Sequence, residues 1–124
     1  MLFENQTFTT IDSPPNNGGS NVYRYCTFES IYDTPLSQSQ SIFDSCEFIG
    51  VEQEGVTFEG ATLLDCSFRN CIFTGMYFFV NRFIECTFEG CVFAEDAYGR
   101  KCSFNNNKWY SCTQTNCQGF EPDW

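Results

Sequence analysis

Nine cysteines in 124 residues are the first candidates for chemistry, since thiolates attack electrophiles, pair oxidatively and bind soft metals. Each of those roles needs company that this chain does not offer. There is no histidine, so neither a Cys–His nor a Ser–His pair can activate a nucleophile. Cys66 and Cys71, and again Cys86 and Cys91, stand five residues apart. Structural zinc sites are built instead from close Cys-x-x-Cys pairs or from His. No glycine-rich phosphate cradle is present either. The sequence predicts no catalytic residue, no cofactor and no metal site. It predicts a non-enzymatic chain whose cysteines serve as small buried hydrophobes.

The spacing of those cysteines shows what must position them. Cys26, Cys46, Cys66, Cys71, Cys86 and Cys91 share one register modulo five. Twelve phenylalanines, from Phe3 to Phe93, share another, two residues later, with Tyr23, Leu63 and Tyr98. Cys102, Cys112 and Cys117 are shifted by one, together with Phe104 and Trp109. One inserted residue near Gly99-Arg100-Lys101 brings all nine cysteines and thirteen of the fifteen phenylalanines under a single rule. A sequence without a period would place only about one in five there.

A five-residue step fits neither a helix nor a flat strand, whose faces repeat every 3.6 and 2 residues. It describes a short extended segment, in with Cys and in again with Phe, followed by a bend. Four such steps close a square coil of twenty residues, and coils stack about 4.8 Å apart. Cys26, Cys46, Cys66 and Cys86 then form one column, with Asn107 next, and Phe28, Phe48, Phe68 and Phe88 another, continued by Trp109. On the adjacent side Cys71, Cys91 and Cys112 align beside Phe73 and Phe93. Phe58, Phe78 and Tyr98 form a third side, and Tyr23, Phe43, Leu63, Phe83 and Phe104 a fourth.

The runs Cys66-Ser67-Phe68-Arg69-Asn70-Cys71-Ile72-Phe73 and Cys86-Thr87-Phe88-Glu89-Gly90-Cys91-Val92-Phe93 resemble the pentapeptide-repeat family, in an aromatic-rich, Cys-x-Phe variant. The resemblance covers residues 21–120 well and 1–20 loosely. It implies an all-β fold: a right-handed quadrilateral β-helix, or solenoid, of about six coils. Residues 1–124 are read as one domain, with 1–20 a loose coil or cap and 121–124 a tail.

Three stretches break the pattern. Ser13, Asn16 and Gly18 occupy core positions around Pro14-Pro15; Asp33 and Gln38 stand where Phe belongs, and so does Gln53. These are expected to be loops or bulges whose polar side chains turn outward.

Function is sought in outward positions. Six Lys and Arg against sixteen Asp and Glu give a formal net charge of −10. That excludes a phosphate-neutralising nucleic-acid surface and an anionic membrane surface, and no apolar run is long enough to insert. The expected partner is another protein, one with a basic groove. Asp44, Glu47, Glu52, Glu54 and Glu59 make residues 41–60 the most acidic coil, with no Lys or Arg among them. Tyr77, Phe79 and Val80 form an outward apolar patch, suited to a partner or a second copy. Leu64 with Ile84, and Ile72 with Val92, stack at two further outward positions. The expected function is a protein-binding or scaffolding solenoid. One alternative comes from the family resemblance: some members resemble B-DNA in width and charge and bind the DNA groove of type II topoisomerases. A structural subunit of a large assembly is the other. No signal-peptide pattern opens the sequence, which predicts a cytoplasmic protein with free thiols.

Overall fold

A computed structural model of the chain describes residues 1–15, 19–32, 34–36 and 38–124. Every regular element is a strand of two or three residues, and every pairing is parallel. The first wall stacks Leu2–Glu4, Val22–Arg24, Ile42–Asp44, Thr62–Leu64, Arg82–Ile84 and Lys108–Tyr110. The second stacks Thr7–Phe8, Thr27–Glu29, Glu47–Ile49, Ser67–Arg69, Thr87–Glu89 and Thr113–Thr115. A third wall holds Glu52–Glu54, Ile72–Thr74 and Val92–Ala94, and a fourth Thr57–Glu59, Tyr77–Phe79 and Ser103–Asn105. This is an all-β, four-walled β-helix. Among the described residues, the first two coils carry strands on two walls only; residues 9–15 and 19–21, and 30–32, 34–36 and 38–41, stand where the other two walls would be.

In the three-residue strands other than Thr113–Thr115, whose residues are all exposed, the middle residue points inward, and one more inward residue sits at each corner. Phe28, Phe48, Phe68 and Phe88 stack at centroid separations of 4.5–4.7 Å with nearly parallel rings. At the corner between the first two walls, each thiol donates to a carbonyl of the coil before. Cys46 reaches Tyr23 O, Cys66 reaches Phe43 O and Cys86 reaches Leu63 O, at 3.3–3.4 Å. Cysteine is small enough for the corner, and its S–H finds an acceptor there. The preceding corner, between the fourth wall and the first, is polar and also hydrogen-bonded from coil to coil. Asn81 Oδ1 accepts from Ala61 N, and Asn107 Oδ1 accepts from Asn81 N, both at 2.9 Å.

The insertion is larger than the five-fold register suggests. Asn21 and Ser41 pair across an interval of twenty residues, Asn81 and Asn107 across twenty-six. Six inserted residues and one inserted residue shift a five-residue register identically, so the count was ambiguous by a whole step. Everything beyond Gly99 consequently sits one wall earlier in the winding than predicted. Phe104 lies on Phe78, at 4.7 Å, and not on Phe83. Trp109 lies on Phe83, at 4.2 Å, and Gln114 on Phe88. Cys112 follows Cys86, and Cys117 follows Cys91. Tyr98 belongs to no column and is 85% exposed.

A second correction concerns the glutamines. Gln38 and Gln53 point inward and are buried. Gln53 is the middle of a regular strand, paired with Phe73. Its Oε1 accepts from Leu36 N at 2.7 Å, while its Nε2 donates to Thr34 O and Glu52 O. Gln38 Oε1 accepts from the Tyr23 hydroxyl at 2.8 Å and from Asn21 Nδ2 at 3.1 Å. Where the third and fourth walls lack strands, irregular backbone faces the core, and amide side chains satisfy groups that a Phe would leave orphaned. Ser13 is half-buried; Asn16, Gly18 and Asp33 lie outside the described residues.

The far end is closed by the chain itself. Phe120 stacks on Phe93 at 4.7 Å and packs against Phe88. The Asp123 carboxylate accepts from Trp109 Nε1 at 2.7 Å and from Asn107 N at 3.0 Å. Burial opposes its charge, but these hydrogen bonds prevail and hold it below the usual carboxylate range.

Two predictions follow from the core. All nine cysteines are free; Cys102, Cys112 and Cys117 are half-buried and the other six buried. A native-state alkylation series read by mass spectrometry should modify those three slowly, because burial pushes their thiols up, and the six only on unfolding. Tyr23 is pushed up to about 12 by burial. A raised pKa contributes stability that is fully present below about pH 10 and is lost as pH rises toward 12. Denaturant titrations across that window should lose about 2 kcal/mol, and Tyr23→Phe should flatten the loss.

Candidate functional site

The outward residues of coil three do not act as one cluster, because the four walls point them apart. Asp44, on the first wall, lies 3.9 Å from Arg24, and Glu47, on the second, lies 3.5 Å from Arg69. Each cation belongs to a neighbouring coil. Surface pairs of this kind contribute little stability, but they neutralise the carboxylate they face. Glu52 and Glu54 alternate with the inward Gln53, so both project from the third wall; both are exposed. Glu59 projects from the fourth wall beside Phe79. Among the described residues, none of these three takes part in an ion pair. The acidic coil therefore divides into two compensated carboxylates and three uncompensated ones.

The third wall carries a cleft of about 430 Å³, bounded on one side by Glu52, Glu54, Ile72 and Thr74. Tyr32, Thr34 and Pro35 form its other bank, with Gln53 and Val56 between. That bank is a strap fixed at several points. Ile31 and Leu36 dip into the core. The Thr10 hydroxyl accepts from Tyr32 N at 2.8 Å, Gln53 brackets Thr34 and Leu36, and Gln40 N donates to Glu59 O at 2.8 Å. Sequence reasoning found the carboxylates and the loop that contains Thr34 and Pro35, but it did not bring that loop, or Tyr32, against the third wall. The available signal was the pair of glutamines in Phe register, which mark where a strap needs bracing.

On the fourth wall Tyr77 and Phe79 stack at 5.9 Å, both half-buried, and Val80 is 49% exposed at the following corner. The patch has polar neighbours on both sides. Thr57 and Glu59 flank it on one side, Ser103 and Asn105 on the other. The inserted 95–102 segment brings Arg100 to Tyr77. Asp96 holds that segment in shape, accepting from Tyr98 N, Arg100 N and Arg100 Nε at 2.7–2.9 Å. The Arg100 amide and guanidinium hold the Asp96 carboxyl below its ordinary value. Leu64, Ile84 and Tyr110 stack on the first wall, which also carries Arg24, Arg82 and Lys108, and Ile72 pairs with Val92 on the third.

The architecture defines the class of protein: a four-walled parallel β-solenoid. No family model matches the chain, and no curated protein matches it. Solved structures similar to it include two trypsin-treated variants of QnrB1, described as a plasmid-mediated fluoroquinolone resistance protein. One is 12% identical with a TM-score of 0.41, over 94% of this chain and 66% of that one. The other is 15% identical with a TM-score of 0.28, over 94% and 76%. The chain thus spans 66% of the first structure's length, and likeness at this level carries no argument about function.

Replacing Gln53 by leucine tests the strap. Leu36 N and Thr34 O would lose their partners, at about 1–3 kcal/mol for groups left buried. Limited proteolysis should then cut between Tyr32 and Ser39 faster than in the parent, with the rest of the coil unchanged.

Proposed function

We propose that this chain is a non-enzymatic, protein-binding solenoid of the pentapeptide-repeat kind, a rigid support that displays an acidic, partly apolar surface to a basic partner. The observation that carries this reading is the division among the coil-three carboxylates. Asp44 and Glu47 are answered by Arg24 and Arg69, whereas Glu52, Glu54 and Glu59 face solvent on the two walls that also carry the cleft and the Tyr77–Phe79 pair. Uncompensated charge beside exposed apolar surface suits a partner that supplies both the counter-charge and the cover.

Mimicry of DNA toward a type II topoisomerase rests on net charge and rod shape alone. Against it stands the first wall, where Arg82 and Lys108 project side by side from paired strands; a duplex carries no cationic groups on its surface. A structural subunit of a large assembly is the reading that the aliphatic stack Leu64–Ile84 favours.

Native protein isolated with its bound partner at low salt should form a complex that weakens as salt rises, since exposed charges are screened beyond about 10 Å at 0.1 M. Phe79→Glu should weaken it further. A complex indifferent to both would overturn the proposal. Supercoiling by DNA gyrase is expected to be unaffected at micromolar protein; salt-sensitive inhibition would instead favour mimicry.

A further inference from the structure

Resting on that reading, we propose that the cleft between the strap that carries Tyr32, Thr34 and Pro35 and the third wall receives an arginine or lysine side chain from an extended basic segment of the partner. The argument combines shape, charge and apolar lining. At about 430 Å³ the cleft falls within the range of pockets that bind ligands, and it holds one long side chain with its flanking backbone. Glu52 and Glu54 project from the same face of one strand, two residues apart, which separates their Cα atoms by about 6–7 Å along it. A guanidinium or ammonium between them reaches both.

The opposite bank suits the rest of such a side chain. Tyr32 is 49% exposed and Ile72 39%, and Pro35 is exposed beside them. An aliphatic stem lies against Ile72 and Pro35, while the Tyr32 ring offers its face to the cation. An anionic ligand is repelled by the two carboxylates, and a wholly apolar one would bury them without partners. A cation on an apolar stem satisfies both demands. The cleft is also formed in advance: Gln53 ties Thr34 and Leu36 to the wall and Thr10 ties Tyr32, so binding does not have to order the strap.

The choice between this cleft and general attraction to an acidic surface is testable with two pairs of substitutions of equal charge. The peptide fluoresceinyl-Gly-Arg-Gly-Arg-Gly-amide, labelled on its N-terminal amine, is titrated against the full chain by anisotropy, with the same peptide carrying citrulline for arginine as the control without cations. Glu52→Gln with Glu54→Gln should weaken the arginine peptide at least about tenfold, as expected for lost charge-assisted bonds. Asp44→Asn with Glu47→Gln, which removes the same charge, should change it less than about twofold, since those carboxylates are already paired. Tyr32→Ala should weaken it about three- to fivefold. All four substituted carboxylates are outward, and unchanged melting temperatures would verify that folding is intact. Equal losses in the two double variants, equal binding of the citrulline peptide, or no binding to the parent would each overturn the cleft. The wider binding role fails separately, on the salt and Phe79→Glu behaviour of the native complex.

Discussion

The bore of the tube governs everything else in this molecule. Four walls of three-residue strands enclose room for one large and one small side chain per step. Phe meets the first demand; Cys, Asn, Ser or Ala meets the second at most corners, while the larger Ile31, Leu36, Val51 and Met76 fit at others. A ring that fills one step stacks on the ring of the next coil, so burial is generated between coils rather than within them. Fully closed coils are therefore stacked against one another in the middle of the rod. The two open coils at the start rely on straps, and the last coil relies on Phe120 and Asp123.

That constraint made the fold legible. Cys66-x-Phe68 and Cys71-x-Phe73 declare an in–out–in step, and twenty-residue intervals declare four walls, without reference to any relative. The same periodicity concealed the size of the insertion. A step of five is blind to any multiple of five, so Phe104 and Trp109 were in the right register on the wrong wall. Gln38 and Gln53 misled for a different reason. Their polarity suggested an outward turn, but the straps leave backbone groups facing inward, and an amide that can both donate and accept is what such a place requires.

The candidate site was half legible. Reading outward positions identified Glu52, Glu54 and Glu59, and it identified Tyr77 and Phe79. It did not separate Asp44 and Glu47 from the others, because their counter-charges arrive from neighbouring coils, Arg24 twenty residues before one and Arg69 twenty-two after the other. Nor did it find the bank formed by Tyr32 and Pro35, since nothing local says where a strap crosses a wall. The side chains that fix the fold obey the period. Those that shape the cleft interrupt it.

One feature of the walls bears on how the rod responds to load. Its interstrand hydrogen bonds run between coils, along the long axis, as in Ile72 N to Val51 O and Val92 N to Cys71 O. Tension applied end to end would strain these bonds in series, opening one layer at a time from whichever end is less well latched. Compression or bending across the rod would meet stacked rings and continuous walls. Such a body is stiff as a strut and weak as a tether, which favours attachment of partners along its sides over suspension between its tips.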